Sequence, residues 1–311
     1  MNFDLVRRST LKFDFEGRNM MPRQLSLFED DGDDDLEFNA FEWPINIGHA
    51  TISQVNSKSI LTKTSGFMSE YDYSLNPYSG CSYGCSYCYA AFFARDEAKR
   101  NNWGTWVEAK TNAIDVIRRM RTDLSDKTVY MSTVTDPYQP VERRLKLVRP
   151  ILEELANRGA RLVVQTRSPL VTRDLDLFKK FEHVRINMTV STDSRRVQQA
   201  FEPYCAAPNR RLRAITQIAM AGINTSITMT PLLPIEDIDA FTQDLLKTGV
   251  QHFVVQPFHA DRGKFVAGTR PRALQLIADL NWSDADYKRI VTHMRSRLPI
   301  LEEGREGFAP E

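Results

Sequence analysis

Short apolar runs alternate with amphipathic stretches along most of the chain. The runs TWVEAK (105–110), TVYMST (128–133), RLVVQTR (161–167), RINMTVS (185–191), NTSITMT (224–230) and HFVVQPF (252–258) predict strands. Stretches 89–101, 111–122, 144–158, 172–181, 210–221 and 236–247 predict helices between them. Three of these end where a glycine stops a helix, at Gly159, Gly222 and Gly249. Val148, Leu152 and Leu155 fall on one helical stripe and are expected to be buried. Two further helices are expected over 271–297, and the terminal EEGREGFAPE is expected to fray.

Strands alternating with helices argue for βα units around a parallel sheet. About six units fit the length, too few for an eight-unit barrel but enough for a partial one. The fold class expected is therefore α/β, a partial (β/α)6 parallel barrel. Four segments are expected: an arm at 1–45, a transition of strand pieces at 46–70, the core at 71–262 and a helical extension at 263–311. The arm carries Arg7, Arg8, Lys12, Arg18 and Arg23, then an acidic run from Glu29 to Glu37, with no sustained periodicity, and is expected to be disordered.

With 42% hydrophobic residues the chain can build a core, which excludes wholesale disorder. A formal charge of +1 gives no global field toward nucleic acid or lipid. No apolar run is long enough for a bilayer, and the N-terminus has none at all, so no membrane association and a cytoplasmic location are expected.

Three of the four cysteines lie in Asn76-Pro-Tyr-Ser-Gly-Cys81-Ser-Tyr-Gly-Cys85-Ser-Tyr-Cys88-Tyr89; the fourth is Cys205. Thiolates at this spacing suit an iron–sulfur cluster or zinc. A structural zinc would want a fourth ligand, and the nearest histidines in the sequence are His49 and His183. Gly80 and Gly84 let the backbone wrap closely around a bulky group. By spacing alone, a cluster with one open iron, a structural zinc and an accidental grouping all stay open.

Polar residues recur at the carboxyl ends of the strands, where parallel α/β folds carry their chemistry: Thr133, Thr135 and Asp136; Thr166, Arg167 and Ser168; Ser191, Thr192 and Asp193; Thr230; His259. Strand ends also need turn formers, which accounts for many such residues.

The cysteine loop resembles that of the radical S-adenosylmethionine (SAM) superfamily. Together with TDPYQPVERR (135–144), TRSPLVTRDLDLF (166–178), EPYCAAPNRRLRAI (202–215) and TPLLP (230–234), it is similar to the spore photoproduct lyase-like branch, DNA repair photolyase-type proteins among them. The resemblance covers about residues 70 to 260. It implies that Cys81, Cys85 and Cys88 hold a [4Fe-4S] cluster whose open iron binds SAM. An external one-electron donor would then drive cleavage to a 5′-deoxyadenosyl radical, which abstracts a substrate hydrogen atom. It also implies SAM contacts from Tyr87, Tyr89, Thr135, Ser191, Thr230 and Arg167, the last where relatives place lysine, and Asp136 near ribose or substrate. Lys110 would point a charge into the barrel mouth.

One departure stands out. Photoproduct lyases use a cysteine after the second strand to return a hydrogen atom, and here Met131 to Asp136 contains none. Cys205 and Tyr138 become the candidate donors, with Tyr204 a further one. Arg143, Arg144, Lys146, Arg149, Arg210, Arg211 and Arg213 are candidates for a nucleic-acid groove, with Glu142 and Arg143 expected to form surface pairs. Gln24-Leu25-Ser26-Leu27-Phe28 resembles the peptide that bacterial repair enzymes insert into the sliding clamp. The competing readings are a clamp-binding, repair-associated adaptor with a structural cluster, and a zinc-binding domain.

Overall fold

The structure is a computed structural model that describes residues 43–258 and 270–310. The arm with Gln24 to Phe28, and also His259, lie outside the described residues.

Among the described residues, twelve strands form two sheets. In chain order they are β1 (Ile45–Ile47), β2 (Ala50–Val55), β3 (Leu61–Lys63), β4 (Tyr73–Leu75), β5 (Tyr78–Gly80), β6 (Trp106–Lys110), β7 (Thr128–Met131), β8 (Arg161–Thr166), β9 (Val184–Thr189), β10 (Asn224–Met229), β11 (His252–Val255) and β12 (Ile300–Glu303). The main sheet runs β12-β11-β10-β9-β8-β7-β4-β3, parallel from β12 to β4, with β3 antiparallel at its edge. The smaller sheet runs β1-β2-β6-β5. The ten helices are α1 (Glu97–Asn101), α2 (Ala113–Arg119), α3 (Glu142–Leu145), α4 (Val148–Asn157), α5 (Leu175–Phe178), α6 (Arg195–Phe201), α7 (Pro208–Met220), α8 (Ile238–Lys247), α9 (Pro271–Asp279) and α10 (Asp284–Arg295).

The strand alternation explains the partial barrel. Val129 and Met131, Leu162 and Val164, Ile186 and Met188, Ile227 and Met229, and Phe253 and Val255 share the large core with Val148, Leu152, Leu155, Ile215, Ile218, Phe241 and Leu245 of the helices. The intervening positions are largely polar: Gln165, Asn187, Thr189, Ser226 and Thr228. Tyr130 donates to Gln165 at 2.8 Å, and Gln165 donates to Thr189 at 2.7 Å and to Thr228 at 2.9 Å. The helices thus cover the apolar face, while on the other face Gln165 joins Tyr130, Thr189 and Thr228, and the Asn187 amide and Ser226 hydroxyl find no hydrogen-bond partner among the described residues.

The structure departs from the sequence expectations at several places. TWVEAK is not a barrel strand: β6 pairs with β2 and β5 in the smaller sheet. The first parallel barrel strand is the three-residue β4, too short to show an alternation. The expected helix at 89–101 is a 3-10 turn, Tyr89–Phe93, followed by α1, and that at 144–158 is broken into α3 and α4 where Lys146 takes a left-handed conformation (φ 48°). α6 was not anticipated. The tail does not fray. β12 joins the sheet beside β11, and Phe308 packs with Tyr71, Tyr130, Val163 and Val254. Tyr71 donates to the Phe308 carbonyl at 2.5 Å, and Arg185 donates to the Ala309 carbonyl at 2.8 Å. Helices α4, α7 and α8 stop at Gly159, Gly222 and Gly249 as expected. No described helix is long and apolar enough to cross a membrane.

Because Phe308 closes an aromatic cluster of distant residues, Phe308→Ala should cost about 3 kcal/mol of stability, read as a lowered denaturant midpoint with the circular dichroism spectrum retained.

Candidate active site

The cysteine loop runs from the end of β5 to the 3-10 turn at Tyr89, with little secondary structure of its own. Its shape is set by close approaches and by contacts from afar. Gly80 has a positive φ of 75°, and a Cβ there would lie 2.6 Å from the Trp106 ring and carbonyl. Gly84 packs backbone to backbone on Gly104, where an added Cβ would fall 2.8 Å from the Gly84 Cα. No side chain fits at either contact without moving the loop.

Polar side chains fasten the loop to the barrel rim. Asn76 accepts from the amides of Thr133 (2.9 Å) and Val134 (3.1 Å) and donates to the Thr133 hydroxyl, so the start of the loop is tied to the end of β7. Gln139 accepts from the Ser82 amide at 2.9 Å and donates to Thr135 at 3.1 Å; Thr135 donates to the Gly80 carbonyl at 2.6 Å. The Ser86 amide donates to the Phe201 carbonyl at 2.8 Å, Arg270 donates to the Cys85 carbonyl at 3.2 Å, and a nitrogen of His49 lies 2.9 Å from the Ser82 carbonyl. Lys110, half-buried on β6, donates to the Asn76 carbonyl at 2.8 Å. Its charge therefore braces the loop from the smaller sheet.

Cys81 and Cys85 are buried, Cys88 is partly so, and all three pack in one apolar cluster with Tyr83, Tyr87, Phe201, Cys205 and Phe258. Cys205, 3% exposed, lies with its sulfur 3.7 Å from that of Cys85. Burial pushes the Cys88 thiol up to about 11, with Cys85 adding to the rise. The Cys205 contact lowers Cys85 against its burial, aided by Arg167.

A charged assembly stands behind the loop. Glu202, fully buried, accepts from Arg211 at 2.5 Å, from Arg167 at 2.9 Å and from the Tyr87 hydroxyl. Burial alone would raise its pKa, but Arg211 and Arg167 overcome that and hold it down to about 2. The same Nη1 of Arg167 that meets Glu202 also donates to the Tyr87 hydroxyl at 2.7 Å and reaches the Cys85 sulfur at 3.2 Å. The Tyr87 hydroxyl lies 3.4 Å from that of Ser191, and Tyr89 donates to the Thr133 carbonyl. Arg167, Arg211 and Arg270 thus surround Cys85 with one buried carboxylate among them, an environment suited to thiolate ligands.

Not every anticipated residue takes the anticipated place. Asp136 is 5% exposed and accepts from the Tyr138 amide, the Thr166 hydroxyl and the Arg167 amide, at 2.9, 2.7 and 2.9 Å. It ties the β7 and β8 ends together. Tyr138 is fully buried, and its hydroxyl donates to Asp174 at 2.9 Å. Asp174 also accepts from Arg149 (2.8 Å) and Arg173 (2.7 Å). Glu142 is not a surface residue: it is fully buried between Tyr78 (2.5 Å) and Arg173 (2.7 Å). Of the expected basic groove, Arg149 pairs with Asp174 and Asp176, and Arg211 with Glu202. Arg211 is thus buried with its partner, while Arg149 stays one third exposed. Tyr204 is 38% exposed and stacks on His49. Thr230, half-buried, precedes Pro231 at the end of β10.

The donor set can be tested against the group the motif implies. Among the described residues no three His, Cys, Asp or Glu side chains converge as a single metal ion requires. Three thiols on one wrapped loop, set among cationic side chains, suit the thiolate ligation of an iron–sulfur cluster.

The sequence matches the radical SAM superfamily over residues 75–246, more than half of the chain. The chain belongs to the radical SAM superfamily. It has the partial α/β barrel expected of that group, and the family implies a [4Fe-4S] cluster and SAM. The chain is 36% identical over 162 residues to an uncharacterized protein of Methanocaldococcus jannaschii, covering 52% of this chain and 61% of that protein. It is 31% identical over 192 residues to an uncharacterized protein of Mycobacterium tuberculosis, covering 59% and 56%. The chain therefore spans about 60% of the length of these curated relatives. A radical SAM Nalpha-GlyT isomerase of Pseudomonas phage M6 is 24% identical over 58% of this chain and 38% of its own length. Among solved structures, spore photoproduct lyase complexed with dinucleoside spore photoproduct has a TM-score of 0.57 at 14% identity, covering 81% of each chain. That likeness is one of fold.

Sequence reasoning did not pick out Asn76, Gln139, Glu202, Gly104 or Arg270 as site residues. Glu202 carried a signal in EPYC, three residues before Cys205. Glu202→Gln should leave two buried guanidiniums without their countercharge and cost roughly 3–5 kcal/mol. With the Glu202 carboxyl held near 2 against an ordinary 4.5, its contribution is complete above pH 4.5 and lost as pH falls toward 2. Acid titration of stability should show that loss in the native protein and not in the variant.

Proposed function

We propose that this radical SAM enzyme abstracts a hydrogen atom from a nucleic-acid substrate, with Cys81, Cys85 and Cys88 as the cluster ligands. The observation that carries the ligand assignment is three thiols on one buried loop, with the Arg167 guanidinium 3.2 Å from the Cys85 sulfur. Bound together, the cluster and SAM supply reductive C–S cleavage and a hydrogen-abstracting 5′-deoxyadenosyl radical.

The chain's own residues orient and exclude. Arg167 uses Nη1 for Glu202, Tyr87 and Cys85, which leaves Nε and Nη2 for a planar carboxylate such as that of SAM. Glu202 and Arg211 hold that guanidinium in place from behind. Tyr87, held by Glu202, and Ser191 and Tyr89 are the SAM contacts we assign, with Thr230 at the β10 end. Thr135 and Asp136 act a step back, fixing the loop and the rim. Tyr83, Phe201 and Phe258 exclude water around the sulfurs.

The nucleic-acid part rests on relatives. Spore photoproduct lyase shares the fold and has been captured with a dinucleoside, and the phage isomerase shares the family. Cys205 is the hydrogen donor we favour over Tyr138, since its sulfur belongs to the cysteine cluster while the Tyr138 phenol is held by Asp174.

Anaerobically purified protein should be brown and contain iron and acid-labile sulfide, and Cys81→Ala, Cys85→Ala and Cys88→Ala should each lose both. Reduced native protein given SAM should release 5′-deoxyadenosine. Stoichiometric zinc without sulfide, or an intact cluster that never cleaves SAM, would refute the assignment. Arg167→Met should raise the KM for SAM by about tenfold or more, and Arg167→Lys should restore part of it.

A further inference from the structure

A cleft of about 520 Å3 opens beside the cysteine loop, between the 3-10 turn that follows Cys88 and the first turn of α9. Among the described residues Phe92, Arg100, Asn101, Arg270 and Arg272 line it, and no acidic side chain does. None of the three arginines forms an ion pair with a described carboxylate. Arg100 is braced by the Ala94 and Arg95 carbonyls, both at 2.9 Å, and Arg270 by the Cys85 carbonyl at 3.2 Å. Two of the three guanidiniums are therefore held by neutral backbone acceptors, which orient them without cancelling their charge. The first turn of α9 adds the positive end of a helix dipole. Phe93, next to the lining Phe92, is 56% exposed.

We propose that this cleft binds the phosphodiester backbone of an unpaired nucleic-acid strand and guides it to the cysteine loop. This rests on the nucleic-acid reading above and gives it a location. Arginines that no described carboxylate pairs, beside a phenylalanine ring, are what single-strand binding uses: cations for phosphates, a ring face for a base. The chain's near-zero net charge does not oppose this, because cations crowded into one cleft create a local field. A reaction at a base also favours an unpaired strand, since a stacked base is out of reach. An acidic peptide would satisfy the arginines but has no planar base to lay against Phe92.

The test uses full-length protein carrying its cluster and a fluorescein-labelled single-stranded oligonucleotide of about 15 nucleotides, followed by anisotropy at several salt concentrations. Arg272→Glu should weaken binding about tenfold or more and lower the salt slope by about one. Lys58→Glu, an exposed charge reversal outside the cleft, should leave both unchanged. A duplex of the same sequence should bind less tightly. Arg272→Glu should still release 5′-deoxyadenosine from SAM at the native rate without substrate, which separates loss of the cleft from loss of the radical chemistry. The proposal is overturned if Arg272→Glu binds like the native protein, if the native protein binds no oligonucleotide, if the duplex binds as well, or if polyglutamate displaces the strand as effectively as unlabelled oligonucleotide. Failure of the native enzyme to cleave SAM would overturn the function proposed above while leaving this binding result standing.

Discussion

The site depends on one act of charge compensation. Glu202 and Arg211 are almost wholly shut from water, and Arg167 is mostly so. None could be buried alone at tolerable cost. Together they close a network in which one carboxylate serves two guanidiniums and a phenol. The surplus positive charge is directed at Cys85, so compensation of a buried acid and preparation of a place for thiolates are the same interaction.

The cysteine loop needs that support because it has almost no regular structure to hold it. Asn76 and Gln139 supply the missing hydrogen bonds from outside, both bridging to the segment after β7. Gly80 against Trp106, and Gly84 against Gly104, let the smaller sheet press on the loop from the other side. The loop is thus clamped between two sheets. This gives β6 and its neighbours a role that a simple barrel would leave unexplained.

A second buried network lies below the rim, where Glu142, Asp174, Arg173, Arg149, Tyr78 and Tyr138 tie the segment 135–149 to 169–176. Glu142, Arg173 and Asp174 therefore spend their charges on one another. None of these residues lines the cleft of Arg100, Arg270 and Arg272.

What the sequence determined by itself was local. Apolar spacing placed strands β7 to β11, the helices ending at Gly159, Gly222 and Gly249, and the buried stripe of Val148, Leu152 and Leu155, because periodicity and helix stops are encoded over a few residues. The cysteine spacing marked the loop for the same reason. Only the tertiary structure decided which sheet each strand joined: TWVEAK reads as a barrel strand, and β4 and β12 are too short or too polar to read as strands at all. Likewise only folding decided which charges faced ligand. Arg211 and Arg272 look alike in sequence, yet one is sealed against Glu202 and the other lines an open cleft, since the free energy of a charge is set by partners and solvent that lie far away along the chain.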